Sequence, residues 1–169
     1  MIGVRRTWLF LFVLMAPRVL AAATGRADFS GTWELSIGES DQIQAGAQQP
    51  GVTMVVAQSG KEIRIVQTVH AQAGDQEARY TYVTDGQPRN LEVFGLRRVA
   101  IARWEGEKLV VTIRQQSPQG VTPAESQFRE TWELGPGQNS LTLLWESLDA
   151  KKDFKPSHFV FKMASFRTQ

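Results

Sequence analysis

The 169-residue sequence contains no cysteine and only two histidines, His70 and His158. Without cysteine the chain has no disulfide, no catalytic thiolate and no site for a lipid attached to a thiol. Two histidines alone do not make the ligand set of a structural or catalytic zinc site. The sequence also lacks the Gly-x-Ser-x-Gly elbow, the phosphate-binding glycine loop and the His-Glu-x-x-His motif. We therefore expect no catalytic residue, no metal and no cofactor.

A short apolar run near the N-terminus follows two positive residues. Arg5 and Arg6 precede the run WLFLFVLM at positions 8–15, and three alanines at 21–23 follow it. This is the layout of a secretory signal peptide, and the run is shorter than a helix that spans a bilayer. The sequence therefore predicts a signal peptide over 1–23, cleavage near Ala23, one domain over 24–169, and a secreted or periplasmic location. A retained membrane anchor is the alternative, and it fits the short run less well.

Removal of the predicted signal peptide changes the charge balance. The whole chain has a formal net charge of +2, and loss of Arg5, Arg6 and Arg18 leaves 16 basic and 17 acidic residues. A domain so close to neutral lacks the basic excess that binds nucleic acid or an anionic membrane surface. We expect no nucleic-acid partner and no membrane anchor in the mature chain, and the sequence leaves the oligomeric state open.

Almost every segment after residue 28 has the pattern of a β-strand, because apolar, β-branched and aromatic residues alternate with polar ones. Turn pairs such as Ser59-Gly60, Asp85-Gly86 and Glu105-Gly106 separate these segments. The predicted strands cover 29–35, 52–58, 63–69, 79–83, 98–104, 109–113, 128–134, 141–148 and 159–163. No segment has helical periodicity, and the polar, glycine-rich residues 37–51 predict a long loop with at most one helical turn.

The number and spacing of these strands predict the fold class. About eight to ten short strands, joined in sequence by tight turns, are typical of an all-β, up-and-down antiparallel barrel. A β-sandwich is the alternative, but sandwiches need long crossover connections that this sequence does not offer. Closing the sheet on itself also removes exposed edges, which favours the barrel in a secreted chain without disulfides.

Two similar stretches, FSGTWEL at 29–35 and FRETWEL at 128–134, share five of seven positions. Alternate residues of a strand share one face, which places Trp33 and Trp132 on inward faces in the same way. The sequences diverge directly after both stretches, so a shared packing requirement explains them better than a duplication. Glu130 stands where the first stretch has Gly31. An inward carboxylate needs a partner, which is either a ligand, an internal ion pair or water at the end of the barrel.

The first of these stretches resembles the opening strand of the calycins, which include lipocalins, fatty-acid-binding proteins and bacterial lipocalin-like proteins. In that family a Gly-x-Trp motif with a preceding aromatic residue closes one end of the barrel. Phe29, Gly31 and Trp33 match this motif. The resemblance implies a barrel that holds a small hydrophobic or amphipathic molecule, with these three residues as its closing motif.

Several features depart from the better-known branches of that family. Fatty-acid-binding proteins hold the ligand carboxylate with an Arg-x-Tyr clamp on the last strand, where this chain has an apolar face of Phe159, Phe161 and Met163. The polar residues 37–51 do not suit the helical pair that those proteins carry after their first strand. Haem binding would need an inward axial histidine, and alternation points His158 outward.

Inward aromatic side chains either fill a small barrel or line its pocket. The predicted ligand wall is aromatic, with Glu130 as its polar anchor, and consists of Tyr80, Tyr82, Trp132, Trp145 and Phe159. The alternative function is a non-binding structural or envelope module whose barrel is filled by its own side chains. An acid/base pair of Glu130 and Glu146 is conceivable, but alternation points Glu146 outward, so we do not expect an enzyme.

Overall fold

The computed structural model describes residues 25–41, 50–117, 125–149 and 155–164. Within these residues the chain forms ten strands and two short 3-10 turns, which cover Ile37–Glu39 and Pro136–Gln138. The strands are β1 Gly31–Leu35, β2 Gly51–Ser59, β3 Glu62–Ala71, β4 Gly74–Val83, β5 Pro88–Val93, β6 Leu96–Glu105, β7 Lys108–Gln116, β8 Glu125–Leu134, β9 Ser140–Ser147 and β10 Ser157–Met163. No helix in the described part of the chain is long and apolar enough to cross a membrane. The predicted signal peptide lies outside the described residues.

The strands form one antiparallel sheet in the order β4-β3-β2-β1-β10-β9-β8-β7-β6-β5. Strands that follow each other in sequence pair with each other, except β4 and β5, and β1 also pairs with β10, where Trp33 lies opposite Met163. The edge strands β4 and β5 lie in contact without a hydrogen-bonded ladder between them. In the connection from β4 to β5, Gly86 N donates to Ala102 O on β6 at 3.0 Å. The sheet is therefore a nearly closed up-and-down barrel, which confirms the predicted fold class.

Strand β5 is the one described strand that the sequence pattern did not predict. Its sequence PRNLEV begins with proline and carries Asn90 and Glu92, and these three residue types are depleted in strands. The structure places it at the edge of the sheet, where a first-position proline costs no ladder hydrogen bond. A two-residue turn of Phe94 (φ 50°) and Gly95 (φ 74°) then connects β5 to β6, as hairpin turns with two positive φ angles do.

One half of the barrel is filled by aromatic rings, and we call it the closed half. Its rings are Phe29, Trp33, Tyr82, Trp104 and Trp132. The ring of Phe29 stacks on Trp104 at 5.7 Å and meets Trp132 edge-on at 5.8 Å. Trp33 Nε1 donates to Phe29 O at 2.9 Å. This interlocked packing fills the interior of the barrel in this half and makes these rings a large part of its core.

The closing motif is held in place by its neighbours on β2. Gln58 Nε2 donates to Ala27 O at 2.9 Å, and Gln58 Oε1 accepts from Phe29 N at 3.2 Å. Gly31 has a φ of 148°, a value that L-residues with a side chain rarely adopt. The predicted barrel-closing residues Phe29, Gly31 and Trp33 thus lie together at the closed end, tied to the sheet by a glutamine side chain.

Candidate ligand-binding site

The opposite half of the barrel encloses a cavity of about 290 Å³, and we call it the open half. The cavity lies at the end where β1 finishes and β2 begins, beside the turn between β5 and β6. Most of its wall is aliphatic or aromatic, as in typical ligand pockets. The apolar lining includes Leu35, Val52, Met54, Val93, Phe94, Leu143, Trp145, Phe159 and Phe161.

Strand alternation and register explain this wall. Phe159 on β10 pairs with Leu143 on β9, and Trp145 on β9 pairs with Glu130 on β8, so their side chains share the inward face. Four polar side chains interrupt the apolar lining: Gln67, Tyr80, Arg98 and Glu130. The cavity is therefore apolar with a few polar groups that could fix the orientation of a bound molecule.

The structure brings four of the six predicted wall residues to the cavity: Tyr80, Glu130, Trp145 and Phe159. The other two, Tyr82 and Trp132, are 1% and 0% exposed and lie in the closed half. Their rings meet edge-on at 6.2 Å, behind the carboxylate that the cavity exposes. Their role in the site is to hold Glu130, and their contact with a ligand stays an untested prediction.

Glu130 receives two hydrogen bonds on one oxygen. Tyr82 Oη donates to Glu130 Oε2 at 3.1 Å, and Trp132 Nε1 donates to the same oxygen at 3.3 Å. Burial raises the pKa of the Glu130 carboxyl above its usual range, while the nearby Arg98 charge and the two hydrogen bonds partly offset that rise. The Oε1 atom has no such partner among the described residues, so it is available to a hydrogen-bond donor in the cavity.

Tyr80 and Gln67 form a second polar group on the wall. Tyr80 Oη donates to Gln67 Oε1 at 3.0 Å, which leaves the Gln67 amide NH₂ free to donate into the cavity. Burial and the Glu130 charge raise the pKa of the Tyr80 phenol, so it stays protonated at physiological pH. The ring also packs edge-on against Tyr82 at 5.4 Å. The pair offers a neutral donor rather than a charge.

Arg98 is the charged cavity residue that the sequence analysis missed. Its Nε donates to Gln115 Oε1 at 2.7 Å, and its guanidinium lies 5.6 Å from the Phe128 ring centre. The signal was present in the sequence, because Arg98 shares its strand face with the buried Ala100 and Ala102. An arginine on an otherwise small and apolar inward face indicates a charged position in the barrel interior.

Neither histidine lies in the cavity. His70 Nδ1 contacts Asp75 Oδ2 at 2.9 Å and His158 Nδ1 contacts Asp41 Oδ2 at 3.0 Å, both on the exposed outer surface. In the ranges that the structure describes, no group of three histidine, aspartate or glutamate side chains could hold a metal ion. The outward position of His158 agrees with the alternation argument against an axial haem ligand.

Several solved structures share the fold of this chain. The structure titled REP1-NXSQ fatty acid transporter matches 81% of this chain and 96% of its own, with a TM-score of 0.58 and 10% identity. Human cRBP IV matches 82% of this chain and 99% of its own, with a TM-score of 0.54 and 16% identity. Secretory abundant heat soluble protein 4 from Ramazzottius varieornatus covers 81% and 95%, with a TM-score of 0.56 and 12% identity.

At these identities the likeness establishes the fold alone: this chain is a calycin-type barrel of the kind found in fatty-acid-binding and lipocalin-like proteins. Comparison with protein-family models and with curated protein sequences finds no match. The ligand must therefore be inferred from the cavity of this chain rather than from a close relative.

Proposed function

We propose that this protein is a secreted or periplasmic carrier that holds one small hydrophobic or amphipathic molecule inside its barrel. The observation that carries this proposal is the cavity of about 290 Å³ in the open half, lined mainly by apolar side chains. A barrel that served only as a packed module would gain stability by filling this space, since cavities weaken a core. The site offers binding groups and no catalytic constellation, so the proposed function is not enzymatic.

The structural comparisons support the same class of ligand. One of the similar barrels is titled a fatty acid transporter, and it shares the fold over most of both chains. The walls of the present cavity, with Trp145 and Phe159 beside aliphatic side chains, suit the apolar part of such a molecule. The proposed location rests on the predicted signal peptide over 1–23, and N-terminal sequencing of exported protein should find a start near Thr24. Exported protein that retains residues 8–15 would contradict that location.

A matched pair of variants on β2 tests the carrier function. Val52 lines the cavity, whereas Val55 on the same strand faces outward and is 45% exposed. Val52→Trp should fill the cavity and abolish binding of an apolar fluorescent dye. Val55→Trp should bind the dye like the wild type, at about one dye per chain, measured by fluorescence titration. Thermal unfolding of both variants confirms that the barrel is intact.

The alternative is the filled structural module, and the closed half gives it some support because its rings leave no space. The dye titration separates the two functions. If the folded wild-type protein binds no apolar probe, the carrier function is wrong and the filled module replaces it. If Val52→Trp binds the dye as well as the wild type, the ligand does not occupy this cavity.

A further inference from the structure

A hydroxyl, an imidazole and a carboxylate are connected in a line on the outer face of the sheet. Thr53 Oγ1 lies 3.0 Å from His70 Nε2, and His70 Nδ1 lies 2.9 Å from Asp75 Oδ2. We call these three residues the outer triad. They come from the neighbouring strands β2, β3 and β4, so no local sequence motif reveals them. The order of their atoms is that of the nucleophile, base and carboxylate of a hydrolase triad.

The Asp75 carboxylate determines which nitrogen of His70 carries the proton. An ionised carboxylate only accepts hydrogen bonds, so Nδ1 of the neutral imidazole donates to Asp75 and Nε2 presents its lone pair. The Thr53 hydroxyl then donates to Nε2, and in this state the imidazole can take the hydroxyl proton. The ring also lies against Gly51, where a Cβ would be 3.6 Å from His70 Cδ2. The main chain of β2 therefore supports the imidazole in this position.

The second histidine provides a comparison within the same molecule. His158 Nδ1 also contacts a carboxylate oxygen, Asp41 Oδ2, at 3.0 Å. In the part of the chain that the structure describes, no hydroxyl group is hydrogen-bonded to His158 Nε2. The two histidines therefore differ in one feature that matters for chemistry, which is the threonine hydroxyl on the outer triad.

The surface around Thr53 suits a neutral substrate with an apolar part. Val55 lies two residues further along the same face of β2, is 45% exposed, and pairs with Val66 on β3. This apolar pair can hold the hydrocarbon part of a small molecule beside the hydroxyl. Glu34 lies opposite Thr53 on β1, and the Asp75 carboxylate lies on the other side. These negative charges would repel an anionic substrate.

We propose that the outer triad hydrolyses small neutral esters, with Thr53 as nucleophile, His70 as general base and Asp75 as a positioning residue. Thr53 Oγ1 attacks the carbonyl carbon, and its proton passes to His70 Nε2. The ester C–O bond then breaks, and the leaving alcohol takes that proton. Water next attacks the acyl-threonine and gives a proton to Nε2, and the acid is released as Thr53 regains its hydroxyl proton. This activity goes beyond the carrier function and does not depend on it.

Hydrolysis of 4-nitrophenyl acetate by the full chain tests the roles of the two catalytic residues. His70→Gln should lower kcat/KM about a hundredfold, as expected for loss of a general base. Thr53→Val keeps the shape of the side chain without the hydroxyl and should lose about as much. The double variant should be no slower than either single one, because the members of a triad act as a unit. His158→Gln is the control and should match the wild type, and thermal unfolding checks that each variant is folded.

Three further measurements separate a triad from a plain hydrogen-bond chain. Thr53→Ser should keep the activity within about tenfold, since it keeps the hydroxyl. Asp75→Asn should lower kcat and leave KM unchanged, because the substrate does not touch this residue. A neutral alkyl fluorophosphonate should bond to Thr53 Oγ1 with release of fluoride, which peptide mass spectrometry detects, and His70→Gln should remain unlabelled.

The substrate class is tested with 4-acetoxybenzoate and its methyl ester, each enzymatic rate being divided by the rate of spontaneous hydrolysis. The neutral methyl ester should be hydrolysed several-fold more efficiently than the anion, because of the negative charges around the hydroxyl. Equal normalised rates would contradict the preference for neutral substrates.

Three results would overturn the proposed activity and leave the carrier function untouched. If Thr53→Val is as fast as the wild type while His70→Gln is slow, the imidazole acts alone and threonine is not the nucleophile. If His158→Gln costs as much as His70→Gln, the hydrolysis is that of any surface imidazole. If the folded wild type is no faster than His70→Gln, the outer triad is only a chain of surface hydrogen bonds.

Discussion

The closed and open halves of this barrel are built from the same strand pattern, yet one is solid and the other encloses a cavity. In the closed half, Phe29, Trp33 and Trp132 are each 0% exposed. The Phe29 and Trp132 rings contact each other, and Trp33 Nε1 donates to the main-chain oxygen of Phe29. In the open half, Trp145 and Phe159 lie on β9 and β10 and are only half-buried. Inward aromatic side chains therefore do not by themselves decide whether a barrel is filled.

The difference lies in how the large side chains are distributed around the barrel. The rings of the closed half converge on Phe29, which enters from the segment before β1 and contacts Trp104 and Trp132. No ring with a comparable central position is seen among the described residues of the open half, where smaller side chains such as Val52 and Val93 also line the cavity. The closed half therefore contributes stability, and the open half provides space for a ligand.

The largest expected effect is loss of a ring from the closed half. Trp33→Ala removes a fully buried indole and its hydrogen bond to Phe29 O, and should lower the free energy of unfolding by about 3–5 kcal/mol. Trp145→Ala, in the open half, should cost clearly less, because its ring is only half-buried. Urea unfolding followed by circular dichroism measures both. Equal losses for the two variants would remove the distinction between the halves.

A medium effect is expected at Gln58, whose side chain holds the segment before β1 against β2. Gln58→Ala leaves Ala27 O and Phe29 N without the partners that hold them, at a cost of about 1–3 kcal/mol. Ser59→Ala, at the exposed neighbouring position, should change unfolding by less than about 0.5 kcal/mol. A Gln58→Ala protein as stable as the wild type would show that the segment before β1 does not contribute to the closed half.

A smaller effect, visible as a pH dependence, is expected at the boundary between the halves. Burial raises the pKa of Glu130 above its ordinary value of 4.5, so the folded state binds this proton more tightly than the unfolded chain does. The stability that this proton contributes is therefore fully present below that ordinary value. It is lost as the pH rises through the folded-state pKa, by about 1.4 kcal/mol per unit of pKa difference.

Glu130→Gln keeps the shape of the side chain and should abolish this fall in stability. Glu133→Gln on the same strand is the control, because Glu133 faces outward and pairs with Lys108 at 2.7 Å in a solvent-exposed ion pair. Urea unfolding between acid and neutral pH measures the effect. A fall of the same size in wild type and Glu130→Gln would place the responsible carboxyl elsewhere.

Much of the fold could be predicted from the sequence, because apolar and polar residues alternate along most of the strands. Inward faces follow from period two, and the position of Trp33 and Trp132 in the core could be read from the two similar stretches. Strand β5 could not be predicted in this way. It lies at the edge of the sheet, where a strand tolerates a proline and charged residues that a central strand would not. Propensity alone contains no information about which strand will lie at an edge.

The candidate site could be predicted only in part. Alternation identifies inward residues, and it placed Tyr80 and Tyr82 on one face, but it does not tell which of them meets the cavity. That depends on where the Phe29 ring packs. Its position is determined by a contact with Trp104, which is far from Phe29 in the sequence. Arg98 was overlooked because a charged residue at the start of a strand is usually solvated, and only the packing of Phe128 and Gln115 shows that it lies inside.

The central claim, that a ligand occupies the open half and not the closed half, is tested most directly by contact quenching. Dodecanol brominated on its chain quenches tryptophans that it touches, and Trp145 lines the cavity whereas Trp104 stacks on Phe29. The brominated alcohol should quench the wild type and Trp104→Phe alike, and should lose most of its effect on Trp145→Phe. Quenching that survives in Trp145→Phe but disappears in Trp104→Phe would place the ligand in the closed half and contradict this account.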